Sequence, residues 1–195
     1  MKTKLITLAA ATALALASIT GCSTTTTSTP TASAADPMAK RQAIDANVDG
    51  ALTRLYSQDP SARELIAKAR GVLVFPSILS AGFVVGGSYG QGALRMRGRT
   101  EQYYSTAAGS VGLLAGAESK SVYILFMTQE ALDKFQASKG WTVGADASVT
   151  VVNVGANAQV DNKTAQQAVV AYVLTNGGLM ANLSLEGTKV TPLAI

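Results

Sequence analysis

Between Arg70 and Arg95 no position carries a charge, yet the run is interrupted by Gly71, Gly82, Gly86, Gly87, Gly90 and Gly92. The uncharged stretch is long enough for a membrane-spanning helix. Pro76 and the glycines oppose that, because each penalises a helix interior and suits turns, bulges and close backbone approach. The pattern predicts two or three buried strands instead, VLVF, GFVVGG and YGQGALRM, which nucleate a sheet.

Upstream, Ile44, Val48, Leu52 and Leu55 recur at helical spacing. They form one apolar stripe of an amphipathic helix that packs on the sheet. Asp36-Pro37 supplies its N-cap and first position, and Asp59-Pro60 ends it. Ser61 with Glu64 reads as a capping box for a second, short helix over 62–70, with Gly71 at its C′ position. Downstream, residues 92–97 and 101–105 form a hairpin about Gly98, and 108–118 is a glycine-interrupted strand. SVYILFM, residues 121–127, is apolar on both faces and belongs at the centre of the sheet, with Tyr123, Leu125 and Phe126 buried. Thr128 caps a helix over 129–139 whose Leu132 and Phe135 point inward. A short repeat, VGADA at 143–147 and VGANA at 154–158, predicts an antiparallel hairpin of half-buried strands. Residues 168–175 and 179–185, joined at Asn176-Gly177-Gly178, predict a last hairpin.

The segment AKARGVLVFPSILSAGFVVGGSYGQGAL resembles the opening of the SYLF domain, a lipid-binding module of bacterial lipoproteins and eukaryotic membrane-trafficking proteins. The resemblance continues through GLLAGAESKSVYILFMTQEALDKF and ends near NGGLMANLSLEG, about residues 40–190. Where many members carry a Trp just after the first long hairpin, this chain has Gln102-Tyr103-Tyr104. The resemblance implies lipid recognition without catalysis. Eukaryotic members bind phosphoinositides; a bacterial envelope offers phosphatidylglycerol and cardiolipin in their place.

The amino terminus changes the picture of location. Met1-Lys2-Thr3-Lys4 precedes an Ala-rich apolar run over 5–19, too short for a stable span, so residues 1–21 read as a secretory signal peptide. It ends Ile19-Thr20-Gly21-Cys22, which resembles a bacterial lipobox, so Cys22 is the expected site of lipid attachment. Ser23 after the cysteine favours the outer membrane, with the domain facing the periplasm. Residues 22–35 are low-complexity and form a flexible tether. Cys22 is the only cysteine, which excludes an intrachain disulfide.

Charge adds a partner class. Without Lys2 and Lys4 the chain has 14 basic and 12 acidic residues, a net of +2 that gives nucleic-acid binding little support. The charge is uneven: residues 63–99 carry +5, and residues 100–195 carry −2. The chain has no histidine, which removes Ser-His-Asp and Cys-His catalysis and most zinc sites. Gly86-Gly87-Ser88-Tyr89-Gly90 matches the nucleophile-elbow pattern but has no base to serve it. Dinucleotide, P-loop and EF-hand motifs are missing, so neither a cofactor nor a metal is expected. Asp146 and Asp161 could share a cation, although solvated carboxylates explain them equally.

The candidate binding residues are Arg95, Arg97 and Arg99 at the hairpin tip, with Lys68 and Arg70 nearby. Arg95 and Arg97, two apart, are expected on one strand face, and guanidinium groups bind phosphate in bidentate fashion. The expected fold for 36–195 is α+β: a strongly twisted antiparallel sheet, tending to a barrel-like closure, with two N-terminal helices and one inserted helix. The expected function is a non-enzymatic lipoprotein that recognises anionic phospholipid through the basic hairpin, without cofactor and with no protein partner specified. A structural envelope protein or small outer-membrane barrel is the alternative.

Overall fold

Asp36 opens the helical layer, its Oδ1 accepting from the Met38 amide at 3.0 Å, with Pro37 in the first turn. The structure, a computed structural model, describes residues 36–151, 167–175, 178–179 and 185–195. The signal peptide, the tether, Asp161 and the 154–160 half of the repeat hairpin lie outside the described residues. Helix α1, Pro37–Gln58, buries Ile44, Val48, Ala51 and Leu55, so the predicted stripe packs inward, with Leu52 partly covered beside it.

Helix α2, Ser61–Lys68, forms without the predicted capping box. Asp59 Oδ1 accepts instead from both the amide and the hydroxyl of Ser61, at 2.9 and 2.6 Å. Asp59 is buried between the two helices, which places its carboxylate closer to the orphan amides than Glu64. Glu64 turns along the helix to Lys68 at 2.8 Å. The chain leaves α2 through an extended Ala69, and Gly71 opens the sheet rather than terminating the helix.

The separate strands predicted from the glycine-rich run are one element. Strand β1, Gly71–Met96, pairs antiparallel with β2, Arg99–Phe126, from Gly71↔Phe126 to Met96↔Arg99. The hairpin is bent across its middle. Pairing passes from Gly82↔Gly116 directly to Val84↔Gly112, so β2 runs the longer way round the bend. The bend brings the second half of β1 back onto the first. A Cβ on Gly92 would stand 2.0 Å from Val74 O, and only glycine permits that approach. The nucleophile-elbow match, residues 86–90, runs on as extended strand with no turn into a helix.

Beyond the hairpin the sheet is mixed. Helix α3, Gln129–Ala137, is capped by Thr128, whose Oγ1 accepts from the Ala131 amide at 3.2 Å. Then come β3, Trp141–Thr142; β4, Thr150–Val151; β5, Val169–Thr175; β6, Gly178–Leu179; and β7, Lys189–Pro192. Strand β5 pairs antiparallel with the end of β2 and with β6, the start of the last predicted hairpin's second arm, whose residues 180–184 lie outside the described residues, as do 176–177 of its turn. Strand β7 joins the first half of β2 and carries β3 outside it. Together the seven strands of the described residues curl into a half-barrel with three helices, an α+β fold with a strongly twisted sheet.

The repeat segment departs from expectation. Residues 143–147 form a turn, not a strand, with Gly144 at φ 88° and the Thr142 amide donating to Asp146 Oδ2 at 2.6 Å. Strand β4 then pairs parallel with β5. Aspartate at 146 makes the turn by accepting from the backbone four residues back, which alternation alone does not reveal.

Each face of the sheet has its own core. Val72, Val74, Tyr123, Leu125, Val170 and Tyr172 pack beneath α1 and α2. On the other face Phe126, Phe135, Trp141 and Tyr104 form an aromatic cluster, with Phe126 and Phe135 centroids 4.7 Å apart. Residues 121–126 therefore serve both cores by alternation. Burying each large apolar side chain there contributes about 1.5–3 kcal/mol.

Candidate functional site

The three arginines of the hairpin have separate fates. Arg97 and Gly98 have φ of 50° and 78°, the positive values a type I′ turn demands, so Arg97 leaves the strand and does not share a face with Arg95. Arg95 turns inward. Its Nη2 lies 2.7 Å from Asp49 Oδ1 and 3.5 Å from Asp45 Oδ1, and its side chain is only 15% exposed. Asp45 also accepts from Thr100 Oγ1 at 2.6 Å and from Tyr103 OH at 2.9 Å. Burial, then the Asp45 hydrogen bond and charge, raise the Tyr103 phenol above its ordinary value. Thus Arg95, Thr100 and Tyr103 fasten the hairpin tip to α1.

Arg97 and Arg99 are exposed at the tip. The fold of β1 brings the tip end of the hairpin back beside Gly71, whose Cβ position is 3.3 Å from Leu94 Cδ1. Exposed Arg70, immediately before Gly71, is thereby gathered to the same end of the sheet as Arg97 and Arg99. Lys68, also exposed, is engaged with Glu64 in a solvent-facing pair that holds it only weakly.

The bend presents a different surface. Leu79, Val85 and Tyr89 are 62%, 67% and 52% exposed around it, apolar side chains that the hairpin leaves in water. Between the bend and α1 runs an open groove lined by Arg54, Ser77, Ser119, Lys120 and Ser121. Arg54 reaches Pro76 O and Ser121 Oγ only loosely, at 3.4 and 3.5 Å.

Inside the half-barrel lies a cavity of about 450 Å³, a size within the usual range of small-molecule sites. Its wall is graded. Phe75, Ile78, Val122, Ile124 and Val190 line the end nearest the aromatic core. Ser80, Ser88, Glu118 and Lys120 line it toward the bend. Thr106, 1% exposed, also faces it, and its hydroxyl has no hydrogen-bond partner among the described residues. Burial lowers the Lys120 ammonium below its ordinary value, against the opposing charge of Glu118. Sequence reasoning missed this site, because its residues are scattered over both halves of β2, over β1 and over residues 143 and 185–190. Among the described residues no group of His, Cys, Asp and Glu is placed to hold a metal, and no helix is long and apolar enough to cross a membrane.

Residues 107–193 match the family model Ysc84, described as a Las17-binding protein actin regulator. The chain is 30% identical over 151 residues to Beta cell expansion factor A of Aeromonas veronii, covering 76% of this chain and 56% of that protein. It is 29% identical over 129 residues to the SH3 domain-containing YSC84-like protein 1 of Xenopus laevis, covering 64% of this chain and 38% of that one. The rat protein of that name is 28% identical over the same length. The chain therefore spans about two fifths to just over half of the length of these relatives. These matches support a SYLF-domain protein, with residues 107–193 the stretch that resembles the Ysc84 family.

Proposed function

We propose that this chain is a non-enzymatic, lipid-binding lipoprotein, held to the outer membrane through acyl chains on Cys22 and touching anionic phospholipid with Arg70, Arg97 and Arg99. The exposure of these three arginines, on backbone segments that the bend of β1 brings to one end of the sheet, is the observation that carries the reading. Arg95 has a different part in it. Held by Asp45 and Asp49, it fixes the tip rather than meeting a phosphate. Lys68 adds a cation that an anionic surface can draw from Glu64. The tether of residues 22–35, extended, reaches about 45 Å, enough for the domain to meet the membrane that anchors it. The family that residues 107–193 match is described as a Las17-binding protein actin regulator, a description of binding.

Vesicle flotation tests the reading. The full chain should float with vesicles containing phosphatidylglycerol or cardiolipin and stay down with purely phosphatidylcholine ones. Each basic residue near an anionic surface contributes about 1 kcal/mol, so changing Arg70, Arg97 and Arg99 together to Ala should weaken binding by about a hundredfold. Equal flotation of wild type and triple variant would remove the arginine cluster from the mechanism. Failure of both to float would remove lipid binding.

A further inference from the structure

We propose that the half-barrel cavity is a second lipid site, one that takes a single-chain amphiphile with a zwitterionic head, of the lysophosphatidylethanolamine class. The inference is independent of the arginine cluster, which lies elsewhere on the domain.

Three features carry it. First, the cavity is graded from an apolar end at Phe75, Val122 and Ile124 to a polar end at Ser80, Glu118 and Lys120. That gradient suits a chain whose tail enters and whose head stays near the mouth. Second, Glu118 and Lys120 are two apart on β2 and so share the inner face, yet they form no ion pair within 4.0 Å. A cation and a carboxylate held side by side but apart match a head that carries a phosphate and an ammonium. Third, the Thr106 hydroxyl is buried without a hydrogen-bond partner among the described residues. A buried hydroxyl left so is destabilising, and a ligand oxygen facing it would remove that penalty.

The probe is myristoyl-lysophosphatidylethanolamine below its micellar concentration, titrated calorimetrically into the purified full chain, with myristyl phosphate and myristyl alcohol as companions. The wild type should bind the zwitterion best. Lys120→Met should weaken it about tenfold, and Thr106→Val about threefold. Glu118→Gln should reverse the preference, so that myristyl phosphate overtakes the zwitterion. Thermal unfolding of each variant separates loss of the site from loss of the fold. Ala108→Phe, which fills the cavity mouth, should abolish binding while leaving the protein folded. Equal binding of all three probes to the wild type, or unchanged binding by Lys120→Met and Ala108→Phe, overturns the proposal. All these variants should still float on anionic vesicles, so failure here leaves the surface reading standing, and failure of flotation leaves this one standing.

Discussion

Arg95 Nη2 stands 2.7 Å from Asp49 Oδ1, across the seam where the hairpin tip meets α1. The guanidinium is largely buried, whereas the Asp49 side chain is 67% exposed, so the energy resides mainly in the desolvated arginine and its contacts to Asp45. Arg95→Met should lower unfolding stability by about 2 kcal/mol, the scale of hydrogen bonds to a charged group. Asp49→Ala should cost less, about 0.5 kcal/mol, because an exposed partner is well solvated already. Urea denaturation of both variants checks the order. A larger loss for Asp49→Ala would show that α1 is fastened elsewhere.

Salt should separate the roles of the arginines. The Debye length falls from about 10 Å at 0.1 M to 3 Å at 1 M, so vesicle binding through exposed Arg97 and Arg99 should fade over that range. Stability resting on the partly buried Arg95 should change far less. Flotation and thermal unfolding, measured in parallel along one salt series, report the two.

Two glycines of the hairpin should respond oppositely to alanine. Gly92 has Val74 O 2.0 Å from its Cβ position, a backbone atom that cannot step aside, so Gly92→Ala should cost at least about 3 kcal/mol. Gly109 has nothing within 4 Å of its Cβ position, so Gly109→Ala should fall within about 1 kcal/mol of wild type. Similar melting temperatures for the two would mean that β1 does not close upon itself.

Tyr172 offers a pH test. Burial, then the charge of Asp59, raise its phenol above the ordinary 10.0, and its hydroxyl is buried without a hydrogen-bond partner among the described residues. The folded state thus holds this proton more tightly than the unfolded chain. Its contribution is fully present below pH 10 and is lost as pH rises above that. Tyr172→Phe should therefore flatten the alkaline fall in stability. It should also leave the neutral protein as stable as wild type or about 1 kcal/mol more so, since no hydrogen bond is lost. Denaturation midpoints at pH 7 and pH 11 decide; an unchanged alkaline slope would refute the linkage.

Phe126 stacks between β2 and α3, 4.7 Å from Phe135 and 6.0 Å from Trp141. Phe126→Ala should cost about 3–5 kcal/mol, enough to unfold a domain of ordinary stability. Calorimetry should show the transition lowered by more than ten degrees or lost.

What the sequence discloses here is whatever acts over short range. The stripe through Ile44, Val48 and Leu55, the Thr128 cap and the doubly buried 121–126 strand all follow from periodicity or a single side chain, and each stands in the structure. The joining of β1 into one bent strand does not, because glycines that signal a break in isolation also permit the approach of Gly92 to Val74. Arg95 shows the same limit at the site. Its spacing from Arg97 implies a shared face, yet the positive φ of Arg97 and two aspartates on α1 pull the pair apart. The cavity was hidden for a related reason, since Thr106 and Lys120 meet it only after β2 has bent.

The turn at Arg97 and Gly98 has a consequence for how the chain reaches this fold. The longest pairing in the domain begins at residues only three apart, Met96↔Arg99, and extends by adding neighbours one pair at a time. Closing so short a loop takes little chain entropy, so pairing can start there before any distant segment arrives. Strand β7 and strand β5, by contrast, must wait for β2 to be in place, β7 from more than eighty residues along the chain. Assembly is therefore expected to zip outward from the arginine tip, with closure of the half-barrel as the slow, late event.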